Sequence, residues 1–183
     1  MIILFGVVGS GKSEQANRLE KKLNCPHITV SQVLKEQHNP AWDSLISAGK
    51  LVPDENVISL LEPVLNKVKK GEFILDGAPR SERQAEWLSQ KIKSGGIKLT
   101  AIFHLVVSKE TTLKRLLNRG REDDREEVIV ERFRQYAAVT NPVLAYLVKQ
   151  GYAVYDIDGE WPLDIVEMQI WNVLKDKIDA PQK

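Results

Sequence analysis

The sequence predicts an α/β fold in which a parallel sheet lies between helical layers. Short apolar runs alternate with stretches of helical periodicity along the chain, as strands and crossover helices do. The first apolar run, residues 1–5, leads through a glycine-rich turn into a helical pattern, the order of a strand–turn–helix unit. With 183 residues, 43% of them hydrophobic, the chain is sized for one compact domain with a substantial core. Its 26 basic and 25 acidic residues leave a net charge of +1, so no overall field draws it to nucleic acid or a membrane surface. Cys25 is the single cysteine and can neither close an internal disulfide nor build a metal knuckle, which fits a reducing compartment. The apolar start is too short for a membrane span and follows no basic stretch, so the expectation is a cytoplasmic protein.

In order, residues 1–5 read as the first strand and 14–23 as a helix with apolar positions Ala16, Leu19 and Leu23. Residues 26–30 make a short second strand. Helical segments follow at 32–37 and 40–47; Asn39 is placed to cap the second, Pro40 takes its first position and Gly49 ends it. Asp54 is placed to cap a longer helix with Val57, Leu61, Val64 and Val68 on one face, and Pro63 should kink or split it. Residues 71–77 form a strand ending in Asp76-Gly77, residues 81–93 a helix, and 98–107 a strand after a Gly95-Gly96 turn. Ser108 caps a helix through 117. Residues 118–125 are charged without apolar periodicity and read as a loop. Helices are expected over 126–139 and, restarting at Asn141-Pro142, to 149; residues 151–157 are the fifth strand and 162–178 a final amphipathic helix.

Chemistry concentrates first at Gly6-Val7-Val8-Gly9-Ser10-Gly11-Lys12-Ser13, a G-x-x-x-x-G-K-[ST] pattern between a strand and a helix. Glycines let the backbone approach phosphates and turn its N–H groups inward, and the helix N-terminus adds partial positive charge. Lys12 can reach the β- and γ-phosphates and Ser13 offers a hydroxyl to Mg²⁺, so the chain is read as binding a nucleoside triphosphate. Asp76 ends a buried strand, at the edge where open α/β sheets bind ligands. It can hold Mg²⁺ opposite Ser13, or simply cap the turn. Arg115 and Arg119 lie four apart on one helical face, followed by Arg121 and Arg125 among Glu122, Asp123 and Asp124. Two guanidinium groups on one face repel unless an anion lies between them. The cluster is either a solvated turn or, downstream of a phosphate loop, a set of charges for phosphoryl transfer.

Further short motifs stand in order: Gly49-Lys50-Leu51-Val52-Pro53-Asp54, Asp76-Gly77-Ala78-Pro79-Arg80 with Gln84, Arg115-Leu116-Leu117-Asn118-Arg119, Arg121-Glu122-Asp123-Asp124, and Arg132. With the phosphate loop, this series resembles the adenylate kinase family of nucleoside monophosphate kinases, from Ile3 to about Gly159. The resemblance implies a three-layer P-loop NTPase-type fold with a five-stranded parallel sheet and two small mobile insertions. It implies reversible Mg²⁺-dependent transfer from ATP to a nucleoside monophosphate, AMP first, by a monomer whose partners are small nucleotides. The core would be 1–30, 50–118 and 126–183, the acceptor-binding segment 31–49 extending into the following helix, and the lid 119–125.

By the same resemblance, Gly6, Gly9, Ser10, Gly11, Lys12, Ser13 and Glu14 would hold the donor phosphates. Arg115 and Arg119 would face the donor side, with the carbonyls around Asp158-Gly159 near its adenine. Thr29, Val30, Lys35, Leu51, Val52 and Gly77 would line the acceptor site, Arg80 would grip the acceptor phosphate and Gln84 would reach the base. Locally, Ser81-x-x-Gln84 is also a capping box. Arg121 and Arg132 would close over the phosphates, with Asp123 and Asp124 fixing the arginines. Ser13 and Asp76 would hold the metal. The chain departs from the family at several points. Val30 replaces a threonine associated with the acceptor base, Lys35 replaces a phosphate-gripping arginine, and Glu14 replaces a threonine. Only Gly120 separates Arg119 from Arg121, so the lid is clipped and lacks cysteines for zinc. Two alternatives stay open on these residues: a P-loop kinase for another acceptor (UMP, CMP, a deoxynucleotide or a non-nucleotide), and a nucleotide-binding regulatory protein.

Overall fold

The computed structural model describes residues 1–120 and 124–178. Strands β1 (Ile2–Gly6), β2 (His27–Thr29), β3 (Ile74–Asp76), β4 (Ala101–Val106) and β5 (Val154–Asp158) form one parallel sheet in the order β2-β3-β1-β4-β5. β1 is central, pairing Ile2 with Ile74 on one side and with Ala101 on the other. Successive side chains of a strand point to opposite faces, so a strand covered on both sides must be apolar throughout, as β1 is. Ile3 and Phe5 face one layer, built by α4 (Asp54–Val68), α5 (Glu82–Lys93) and α8 (Asn141–Lys149) through Leu61, Leu65, Leu88 and Leu147. Ile2 and Leu4 face the other, where α1 (Lys12–Leu23) and α9 (Leu163–Ile178) supply Leu19, Ile170 and Leu174. The α/β fold with a five-stranded parallel sheet is therefore the one the sequence predicts.

Strand and helix ends shift by one to three residues, Val30 opening a helix instead of closing the second strand, and three further differences each have a local reason. Pro63 does not split its helix: α4 is continuous, with Asp54 as its first residue rather than its cap. Pro63 is exposed, so the carbonyl it leaves unbonded faces water, while Val57, Leu61 and Leu65 hold the turns on either side in the core. The helix α6 (Lys109–Arg119) runs two residues past its predicted end, into a left-handed Gly120 cap. No break precedes Asn141-Pro142 either. The helix α7 (Glu126–Gln135) passes through a π turn, Tyr136–Thr140, into α8. The Asn141 N–H bonds to the Tyr136 carbonyl five residues back, and this wider turn accommodates a proline that a regular helix interior would exclude.

The segment between β2 and α4 holds α2 (Val30–Lys35) and α3 (Pro40–Ser47). Here the Asn39 side chain caps α3, accepting from Ala41 N at 3.0 Å and Trp42 N at 3.4 Å. An N-cap of this kind contributes about 1 kcal/mol. Asn39→Ala should therefore lower Tm by roughly 2–4 °C in a chain of this size. Thermal unfolding followed by circular dichroism checks this; an unchanged Tm would show that the cap carries none of the stability.

Candidate active site

The loop from β1 into α1 is shaped by its glycines. Gly9 has φ 80°, and a Cβ there would lie 2.9 Å from the Thr112 carbonyl, so the loop packs directly on α6. Gly11, also left-handed, precedes Lys12 as the cap of α1. The first amides of α1 thus open toward the carboxyl edge of the sheet, ready for an anion. Beside them Ser13 Oγ donates to Asp76 Oδ2 at 2.5 Å, joining α1 to the end of β3. Asp76 is 2% exposed, and its Oδ1 has no hydrogen-bond partner among the described residues. His27 Nε2 lies 3.8 Å from Oδ2, the ring being held between Asn17 and Thr29. Burial pushes the Asp76 pKa up, but the His27 ring, the Lys12 ammonium and the Ser13 hydroxyl outweigh it and hold the carboxyl below its usual range.

Four cations meet over that carboxylate. Burial lowers the pKa of Lys12, Asp76 opposes the shift, and the positive charges of Arg80, Arg119 and Arg132 add to it. Burial likewise lowers Arg80, with Asp76 opposing and Arg132 reinforcing. The Arg80 backbone is held at both ends: its N–H donates to Gln84 Oε1 at 2.8 Å, and its carbonyl accepts from Thr140 Oγ1 at 3.1 Å. Gln84 is 3% exposed; its own N–H bonds to Ser81 Oγ at 3.2 Å, and its Nε2 donates to Asp54 Oδ1 at 2.7 Å. The local capping motif and the cleft-facing position therefore coexist in one residue, except that the side chain reaches the Arg80 amide instead of that of Ser81.

Arg115 and Arg119 leave their shared helical face for separate partners. Arg115 Nη2 donates to the Gly159 carbonyl at 2.8 Å, whereas Arg119 forms a fork on Asp124 at 2.9 and 2.6 Å. A Cβ at Gly159 would lie 2.5 Å from Val107 Cγ2, so any larger residue would have to displace that side chain. Gly6, Lys12, Ser13, Thr29, Val30, Lys35, Leu51, Val52, Asp76, Gly77, Arg80, Gln84, Arg119 and Arg132 line a shared cavity of about 220 Å³. Gly9, Ser10, Gly11, Glu14, Arg115 and Gly159 stand outside that cavity, and the exposed Glu14 faces Arg18 at 3.5 Å. Arg121 and Asp123 lie outside the described residues.

The profile of the adenylate kinase family matches residues 4–152. The chain belongs to the adenylate kinase family. Adenylate kinase 1 of Synechocystis sp. is 35% identical over 181 residues, 95% of this chain and 96% of that protein. The adenylate kinase of Oenococcus oeni is 33% identical over 178 residues, 92% and 94% of the two chains. That of Archaeoglobus fulgidus is 30% identical over 213 aligned positions, 95% and 97%. The chain is accordingly a P-loop phosphotransferase, a nucleoside monophosphate kinase with ATP as phosphoryl donor. No described helix is long and apolar enough to cross a membrane.

For a member of the adenylate kinase family, the residues whose site role the sequence did not show include Tyr136 and Thr140, which line the cavity, and Asp54, which holds Gln84 from behind. Tyr136 follows Arg132 by four positions and so shares its helical face, a spacing that could have signalled it. The residue lines the cavity, its buried hydroxyl has no hydrogen-bond partner among the described residues, and burial, then the Asp156 charge, push its pKa up, so it stays neutral. An unpaired buried hydroxyl costs stability until a ligand satisfies it. Tyr136→Phe should leave Tm equal or higher while raising the acceptor KM on the order of tenfold. Paired unfolding and steady-state assays test this, and an unmoved KM would remove Tyr136 from the acceptor site.

Proposed function

We propose that the chain transfers the γ-phosphoryl group of ATP to AMP, reversibly and with Mg²⁺, as a cytoplasmic monomer. The observation that carries this is the convergence of Lys12, Arg80, Arg119 and Arg132 on one cavity above Asp76. Four cations in so small a volume need a polyanion, and two nucleotides meeting phosphate to phosphate provide one. Relatives named adenylate kinase favour AMP over other small acceptors and over a purely regulatory role. The lone Cys25 fits the cytoplasm.

The residues present suit Mg²⁺. Asp76 is ionised, its Oδ1 is unsatisfied, and Ser13 adds a hydroxyl 2.5 Å from Oδ2, an all-oxygen donor set for a hard cation. When bound, Mg²⁺ would neutralise and orient the donor's phosphate oxygens. The rest is done by the protein's own groups. The amides of 6–13 cradle the donor phosphates, and Lys12 follows the transferred group between donor and acceptor. Arg80 grips the acceptor phosphate, its backbone already anchored. Arg119 and Arg132 spread positive charge around the equatorial oxygens, which stabilises the transition state more than either ground state. Gln84 reads the acceptor base, and Arg115 with Gly159 frames the donor base. The segment 31–49 and a short lid at 119–125, carrying Arg121, would close over the two nucleotides and exclude water.

Lys12→Met keeps the backbone cradle and removes only the mobile charge, so kcat should fall by several orders of magnitude with the fold intact. A coupled ADP assay checks it, and activity within about tenfold of the parent would refute the assigned role.

Val30 and Lys35 bear on the acceptor. Val30 lacks a hydroxyl, and Lys35 offers a point charge in place of a planar fork. The parent should therefore discriminate weakly among monophosphates, and Val30→Thr with Lys35→Arg should sharpen its preference for AMP. The measurement is kcat/KM for AMP, dAMP, CMP, UMP and GMP in both proteins. A parent already rejecting all but AMP by more than about a thousandfold, some 4 kcal/mol, would exclude Val30 as a weak point.

A further inference from the structure

Gln84 has a side-chain amide with two donors and two acceptor lone pairs. In this chain half of that capacity is committed within the protein. Oε1 accepts from the Arg80 N–H at 2.8 Å, and Nε2 donates to Asp54 Oδ1 at 2.7 Å. The two partners key the amide in one direction. A backbone N–H can only donate, so it selects Oε1, and a carboxylate can only accept, so it selects Nε2. One donor and one acceptor are left, on a side chain that lines the cavity.

We infer that Asp54 is a positioning residue that locks the Gln84 amide and thereby sets which purine the acceptor site takes. Adenine presents an amino donor at position 6 and an acceptor at N1, whereas guanine presents an acceptor at position 6 and a donor at N1. The two edges are mirror patterns for an amide. Whichever way Gln84 is keyed favours one purine, and turning the amide over favours the other. The inference deepens the reading of Gln84 as the base contact and rests on it.

The blander role of Asp54 is structural. As the first residue of α4 it complements the helix dipole, and through Gln84 it ties α4 to α5. The two roles separate in a pairwise exchange. Asp54→Asn alone puts a reversible amide opposite Gln84 and loosens the lock. Adding Gln84→Glu restores a contact of reversed polarity: the new amide at position 54 donates, and the new carboxylate at position 84 accepts from it and from Arg80 N. That repairs the α4–α5 tie but leaves an acceptor-only group facing the base.

The experiment measures kcat/KM for AMP and GMP, KM for ATP, and Tm in five proteins: the parent, Asp54→Asn, Asp54→Ala, Gln84→Ala and the exchanged pair. The inference expects both Asp54 variants to lower the AMP-to-GMP ratio by about tenfold or more while KM for ATP holds. It expects the exchanged pair to recover Tm without recovering the ratio. Recovery of both together would show that the polarity of the amide at position 84 does not select the purine and would overturn the proposal. So would an unchanged ratio in the Asp54 variants when Gln84→Ala collapses it. A ratio untouched by Gln84→Ala would instead refute Gln84 as the base contact, and the inference with it.

Discussion

Cations crowded at one edge of a parallel sheet repel one another, and in this protein buried carboxylates offset them, Asp76 at the centre and Asp124 beside Arg119. Asp76 ends β3 beside the central strand, and it is the counter-charge that both Lys12 and Arg80 feel most strongly. The ionised state is itself arranged. Burial works against the charged form, and the His27 ring, the Lys12 ammonium and the Ser13 hydroxyl work for it. Much of the local structure serves this arrangement. β2 carries His27 to its flank, β1 delivers the loop that carries Lys12 and Ser13, and the turn after β3 sets Arg80 within reach.

A second layer of bonds holds the arginines by their neighbours. Arg80 is fixed through its backbone by Gln84 from α5 and Thr140 from the π turn, which leaves its guanidinium for a ligand. Arg119 is held through its side chain by Asp124, a carboxylate that is 2% exposed. Arg115 is bound to the carbonyl of Gly159, which links α6 to the loop after β5. Preorganisation of this kind matters for phosphoryl transfer, where the protein contributes placement and charge rather than covalent chemistry. The π turn belongs to the same logic: it carries the helix past Pro142 and brings Tyr136 and Thr140 to the cavity that Arg132 already lines.

How legible each part was depended on the range of the interaction behind it. The phosphate loop could be read because strand, turn and helix are adjacent in sequence and each has its own periodicity or composition. Asn39 and Ser108 could be named as caps for the same reason, since the bonds they accept come from two or three residues away. Asp54 was read as a cap by the same local rule and is not one. Its carboxylate turns to Gln84, thirty positions on, a partner that only the packing of α4 against α5 supplies. Pro63 does not split α4 for a related reason, because a local rule against proline takes no account of which face of the helix meets water.

From the sequence alone came the α/β class, the parallel sheet, the phosphate loop and the list of charged residues that a family resemblance could order into roles. Each of these follows from patterns a few residues long, where the backbone's own preferences and the burial of one face decide the outcome. Tertiary structure alone decided how the charges are partnered: Arg119 on Asp124, Arg115 on Gly159, Gln84 between Arg80 and Asp54. It also decided that Tyr136 lines the cavity and that its buried hydroxyl has no partner among the described residues. The physical reason is that a hydrogen bond depends on angstrom-scale distance and on which donors and acceptors remain unspent, and neither is known until helices distant in sequence have packed onto the same sheet.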